Sequence, residues 1–162
     1  MGDPPAPNSS SIIDPNKVPG RRTSNYPKPF KALVAGREKR ALGDAGGLRN
    51  FGVNLTQLDP GAVSALRHWH ERQDEFVFVL EGELVLVTDE GESVLQAGMA
   101  AAFPAGRECG HQLVNRTNRP AHYLEIGDRT PDERVHYTVD DVAGVLDPDG
   151  RWCFTHKDGR PW

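Results

Sequence analysis

The sequence predicts an all-β domain, and three observations predict it. Short runs rich in Val, Leu and Phe recur from Leu48 onward at close spacing. Turn residues separate them, as in Asp59-Pro60-Gly61, Glu81-Gly82, Asp89-Glu90-Gly91 and Pro104-Ala105-Gly106. Glycine (17) and proline (13) are too frequent for a helical chain of 162 residues, and they fall between the apolar runs. About eight strands joined by tight turns are the pattern of a β-sandwich or barrel.

The strands are expected in order at 51–58, 63–70, 75–80, 84–88, 93–95, 99–103, 110–115 and 121–126. Beyond them, Val135–Val139 reads as a further strand and Asp140–Val145 as a short helical turn. Arg151–His156 reads as a strand of a terminal hairpin outside the minimal barrel. Before the strands lies an arm, residues 1–30, whose Pro4, Pro5, Pro7, Pro15, Pro19, Pro27 and Pro29 exclude a regular helix. From Ile12 the arm is expected to pack on its own barrel or a neighbour's through Ile12-Ile13 and Tyr26…Phe30. Arg37-Glu38-Lys39-Arg40 reads as a solvated mixed-charge face. The organisation expected is an arm at 1–30 and one domain at 31–162, with a barrel core at about 48–128 and an extension at 129–162.

Length fits a single domain able to bury a core without disulfides. Net charge is −4 with no basic cluster beyond 37–40, so no nucleic-acid partner is expected. No apolar run approaches the roughly 18 residues of a membrane helix, and no signal-peptide pattern opens the chain. With two cysteines, Cys109 and Cys153, read as reduced thiols, a cytoplasmic protein is expected.

The chemistry lies in three histidines and one glutamate. His68-Trp69-His70 is a His-x-His on an expected strand, where alternation puts both imidazoles on one face and Trp69 on the other. Glu75 follows a four-residue polar link, and an antiparallel return would bring it beside His70. His111 sits on a later strand. Three imidazoles and a carboxylate form a donor set for Fe, Mn, Ni, Cu or Zn in the divalent state. Asn54, Cys109 and Tyr123 are further pocket candidates: Asn54 at the barrel mouth, Cys109 two residues before His111, and Tyr123 if its strand turns that face inward. Glu125 shares Tyr123's face. His122, His136 and His156 have no convergent spacing and read as hydrogen-bonded surface residues.

Gly61…His68-Trp69-His70…Glu75…Gly82 resembles the first conserved motif of the cupin superfamily, and Gly98…Pro104-Ala105-Gly106…His111…Asn115 resembles the second. Gly61 lies one residue further from His68 than the usual pattern. Four residues separate Gly106 from His111, where two are usual. The resemblance covers about Phe51 to Asp128. Together with the ending Phe154-Thr155-His156-Lys157-Asp158-Gly159, it is similar to a subgroup of small bacterial single-domain cupins. It implies a double-stranded β-helix, or jelly-roll barrel, one metal ion on His68, His70, Glu75 and His111, a small-molecule substrate or ligand, and a homodimer. A metalloenzyme is the first expectation, with oxygenase ahead of isomerase or lyase. A metabolite-binding or sensing module without turnover is the alternative.

Overall fold

The computed structural model describes residues 11–162; Pro4, Pro5 and Pro7 of the arm lie outside them. Among the described residues twelve strands run β1 (Arg37–Ala41), β2 (Phe51–Leu58), β3 (His68–His70), β4 (Glu75–Glu81), β5 (Glu83–Thr88), β6 (Gly91–Gln96), β7 (Ala100–Phe103), β8 (His111–Val114), β9 (Ala121–Asp128), β10 (Arg134–Tyr137), β11 (Ala143–Leu146) and β12 (Trp152–Thr155). They form two antiparallel sheets, in the orders β1-β2-β9-β4-β7 and β12-β11-β10-β3-β8-β5-β6. This is the expected all-β jelly roll. Between the sheets the inward positions of alternating strands pack Leu58, Val77, Val79, Leu84, Leu95, Leu113 and Ala121 against Tyr123.

A second cluster joins the arm to the C-terminal strands. Tyr26, Val34 and Leu66 pack with Val135, Tyr137 and Val142, and Phe30, Trp152 and Phe154 border them. Arg21 bridges Lys39 by main-chain hydrogen bonds, which ties the arm to the edge strand β1. The arm's prolines exclude long helices but not single turns. Pro15–Lys17 is a 3-10 turn, and Lys28–Lys31 is one helical turn with proline in its first turn, where the missing N–H would have had no partner. Of the apolar island, Ile12 is 86% exposed, while Ile13 is half-buried and sets its Cδ1 against Gly46.

Three other expectations change. The run 37–40 is not a solvated face but strand β1, half-buried throughout and paired with β2. The segment 143–146 is a strand between β10 and β12, not a helical turn; four apolar residues are too few for periodicity to decide. The strand expected at 63–70 is interrupted. Val63 pairs with Val114 and His68 with His111, so residues 64–67 oppose only 112–113. Such a bulge bends the strand and re-aims the side chains that follow it, here His68 and His70.

Candidate metal centre

β3 lies between β8 and β10, and His68 pairs directly with His111 across the β3–β8 ladder. The link 71–74 makes no hairpin. It carries the chain to the opposite sheet, where Glu75 opens β4 between Phe103 and Gly127. Side chains hold the link instead of a ladder: Glu71 and Arg72 donate their backbone N–H groups to Glu133, and Ala105 donates its own to Asp74. Glu75 therefore faces the histidines across the barrel rather than beside them.

The four side chains meet at one point. Nε2 of His111, His70 and His68 lies 2.9, 3.3 and 3.6 Å from the same oxygen, Glu75 Oε2. Donor atoms of His68, His70 and Glu75 lie within 4.8 Å of one another. Adjacent donors on an ion with bonds of about 2.1 Å are about 3 Å apart, so this cluster has the dimensions of a coordination shell. The donor set also fits. His68 Nδ1 is 2.7 Å from the Leu66 carbonyl, to which it donates, leaving the Nε2 lone pair toward the cluster. His111 lies flat on Phe103, with ring centroids 3.6 Å apart.

Glu133, which nothing in the sequence pointed to, stands behind His70. Its side chain is fully buried, its Oε1 is 3.7 Å from His70 Nδ1, and both its oxygens accept backbone N–H groups. Charges follow from these neighbours. Burial alone would raise the Glu75 carboxyl, but hydrogen bonds from His111, His68 and His70 outweigh it and hold the group well below its usual range. Burial would lower His70, but Glu133 and Glu75 raise it to about 9. Burial lowers His68.

The cluster opens into a cavity of about 540 Å³ between the sheets. Asn54, Tyr123 and Glu125 line it, as do Arg21, Arg37 and Lys39. Glu125 Oε1 accepts from Lys39 Nζ at 2.6 Å and from Asn54 Nδ2 at 3.3 Å. Cys109 does not line this cavity. It borders a neighbouring hollow of about 160 Å³ with Trp69, His70 and His111. The remaining histidines lie outside: His122 contacts Glu81 and Gln57, His136 stacks on Trp69, and His156 stacks on Trp162. Arg37 and Lys39 share a face only because 37–41 is a strand, which their mixed-charge sequence does not announce.

A family model described as a cupin domain matches residues 54–127. No curated protein matches the chain. Among solved structures, a protein of Silicibacter pomeroyi described as a sugar phosphate isomerase from a cupin superfamily is 50% identical. The match covers 93% of this chain and 96% of that one, with a TM-score of 0.89. A candidate sugar phosphate isomerase of Acidithiobacillus ferrooxidans is 28% identical, covering 76% and 80% of the two chains, with a TM-score of 0.70. A polyketide cyclase of Streptomyces resistomycificus is 21% identical over 80% and 87%, with a TM-score of 0.64, and shares the fold. With a close match over nearly its whole length added to the barrel and its histidine–glutamate cluster, the chain belongs to the cupin superfamily.

Proposed function

We propose that the protein is a divalent-metal isomerase that moves a proton between neighbouring carbons of a small hydroxylated carbonyl compound. The observation that carries the reading is the convergence of His68, His70 and His111 on Glu75 at the wall of a polar cavity. The donor set alone favours an oxygenase. The activity named for the 50% identical protein turns the order toward isomerase.

A divalent ion held by His68, His70, Glu75 and His111 would polarise the substrate's carbonyl and adjacent hydroxyl as a Lewis acid. The chain supplies the proton transfer. Val77 pairs with Glu125, and Glu75 pairs with Gly127, so Glu125 sits one same-face step, about 7 Å, along the sheet. Lys39 and Asn54 hold its Oε1, while its Oε2 accepts no hydrogen bond among the described residues. Glu125 Oε2 takes the proton from the carbon next to the carbonyl and returns it to the former carbonyl carbon, while the proton of the adjacent hydroxyl passes to the former carbonyl oxygen, so that carbonyl and hydroxyl exchange places. Tyr123, whose pKa burial drives well above 10, remains a phenol able to donate to a substrate oxygen.

The test is incubation of metal-loaded protein, in parallel under air and without it, in deuterated water with aldoses, ketoses and their phosphate esters, read by NMR. The expected result is solvent deuterium at the exchanging carbon, reduced by about 10²-fold or more in Glu125→Gln with its metal content unchanged. Substrate loss that requires dioxygen would overturn the reading in favour of an oxygenase. A ligand that raises the melting temperature without exchange would overturn it in favour of a sensing module.

A further inference from the structure

We propose that Arg37 and Arg21 form an oxyanion subsite at the β1 side of the cavity and that it takes the phosphate group of a phosphate monoester. The proposal rests on the metal-dependent reading above and names the substrate class of that site.

Alternation along β1 puts Arg37 on the same face as Lys39, and the bridge between Arg21 and Lys39 brings a third cation beside them. All three line the cavity that His68 and Glu75 also line. Their charges are balanced differently. Lys39 is paired with Glu125, and the neighbouring Arg129 is paired with Asp44. Arg37 and Arg21 form no ion pair with any carboxylate among the described residues. Of the five donors on a guanidinium, Arg37 uses Nη1 on the Ser64 carbonyl. Asp74 and Asp128, the remaining acidic groups on the lining, accept backbone N–H groups.

For half-buried Arg37, a guanidinium with donors to spare and no counterion is a costly arrangement unless an anion completes it, and exposed Arg21 stands beside it. Fully buried Tyr123 borders the same cavity, and its hydroxyl, shielded from solvent, faces Thr56 without a hydrogen bond of normal geometry, which leaves a donor for a ligand that reaches it. Arg37's charge reaches these rings. It offsets part of the burial that raises the pKa of Tyr26, Tyr123 and Tyr137.

The charge count selects the class. A phosphate monoester carries about −1.5 to −2 at neutral pH, matching two guanidinium groups, whereas a carboxylate carries half that. In the sheet order β1 is three positions from β4, roughly 14 Å at normal strand spacing. The phosphate is thus held away from the reacting carbons, and its binding serves to position them.

The test is calorimetric titration with inorganic phosphate, and separately with acetate, at low ionic strength. It is run on metal-loaded and chelator-stripped protein, for wild type, Arg37→Gln, Arg21→Gln and Tyr123→Phe. Phosphate is expected to bind wild type in both metal states, about tenfold or more tighter than acetate. Arg37→Gln and Arg21→Gln should each weaken it by about tenfold, the loss of one charged hydrogen-bonding partner. Tyr123→Phe should weaken it severalfold with an unchanged melting temperature. If Arg37→Gln fails to fold for want of its bond to Ser64, the other two variants carry the test. Phosphate binding that is absent from wild type, insensitive to these substitutions, or no tighter than acetate binding would overturn the subsite. Phosphate binding retained in wild type that takes up no metal would overturn the isomerase reading and leave the subsite standing.

Discussion

At the scale of single residues, the histidine–glutamate cluster is a balance of opposed titrations. His70 is raised to about 9 in the fold, above its unfolded value of about 6.5. Its contribution to stability is therefore complete below 6.5 and lost as pH rises through 9. His68 is lowered by burial, so its contribution is complete above 6.5 and lost as pH falls. The pair's joint contribution to the chelated protein peaks near pH 6.5. Melting curves of stripped protein from pH 5 to 10 are expected to decline on the alkaline side, and His70→Ala is expected to flatten that decline. An unchanged alkaline limb in the variant would contradict the account.

Glu133 makes a second residue-scale prediction. It receives two backbone N–H groups and backs His70 Nδ1 from a fully buried position. Glu133→Gln keeps the shape and removes the charge, and is expected to raise the metal dissociation constant about 10- to 100-fold in a competition titration. His68, His70, Glu75 and His111 were all legible in the sequence, because a strand's alternation and a motif's spacing name them. Glu133 was not. It precedes β10 next to Asp132, whose φ is +58°, and no periodicity extends into such a turn.

At the scale of elements, the strands that carry the site depend on turns of restricted geometry. Gly82 joins β4 to β5 with φ +82°, and a Cβ there would stand 3.0 Å from Ala121 Cβ and 3.1 Å from its Cα. Gly82→Ala is expected to cost about 2 kcal/mol in denaturant unfolding, from the left-handed backbone and that contact. Asn115 is fully buried after β8, donating to the Leu58 and Arg119 carbonyls and accepting from Thr117. Asn115→Ala is expected to cost about 2–3 kcal/mol, since it strands several buried partners. The sequence exposed these turns through Gly and Asn, and most strand limits with them. It hid the bulge at 64–67, because a bulge is defined by the partner strand and not by the residues in it. It hid β1 for a similar reason. A strand of five residues reading Arg-Glu-Lys-Arg-Ala has no apolar alternation, and its pairing with β2 makes it a strand.

At the scale of the whole molecule, both sheets supply donors: β3 and β8 from one, β4 from the other. An ion bound there would tie the two sheets together and bind only the folded chain. Free metal at a hundredfold excess over its dissociation constant is expected to stabilise the fold by about 2.7 kcal/mol. For a domain of this size that corresponds to a melting temperature roughly 5–10 °C above the chelated protein's. Coincident melting curves with and without chelator would contradict this.

The most direct measurement is elemental analysis of the purified protein beside His68→Ala/His70→Ala, each after anaerobic reconstitution with divalent metals. About one transition-metal ion per wild-type chain is expected, lost in the double variant while the barrel still folds. Wild type that takes up no metal, or equal metal in both proteins, would contradict it.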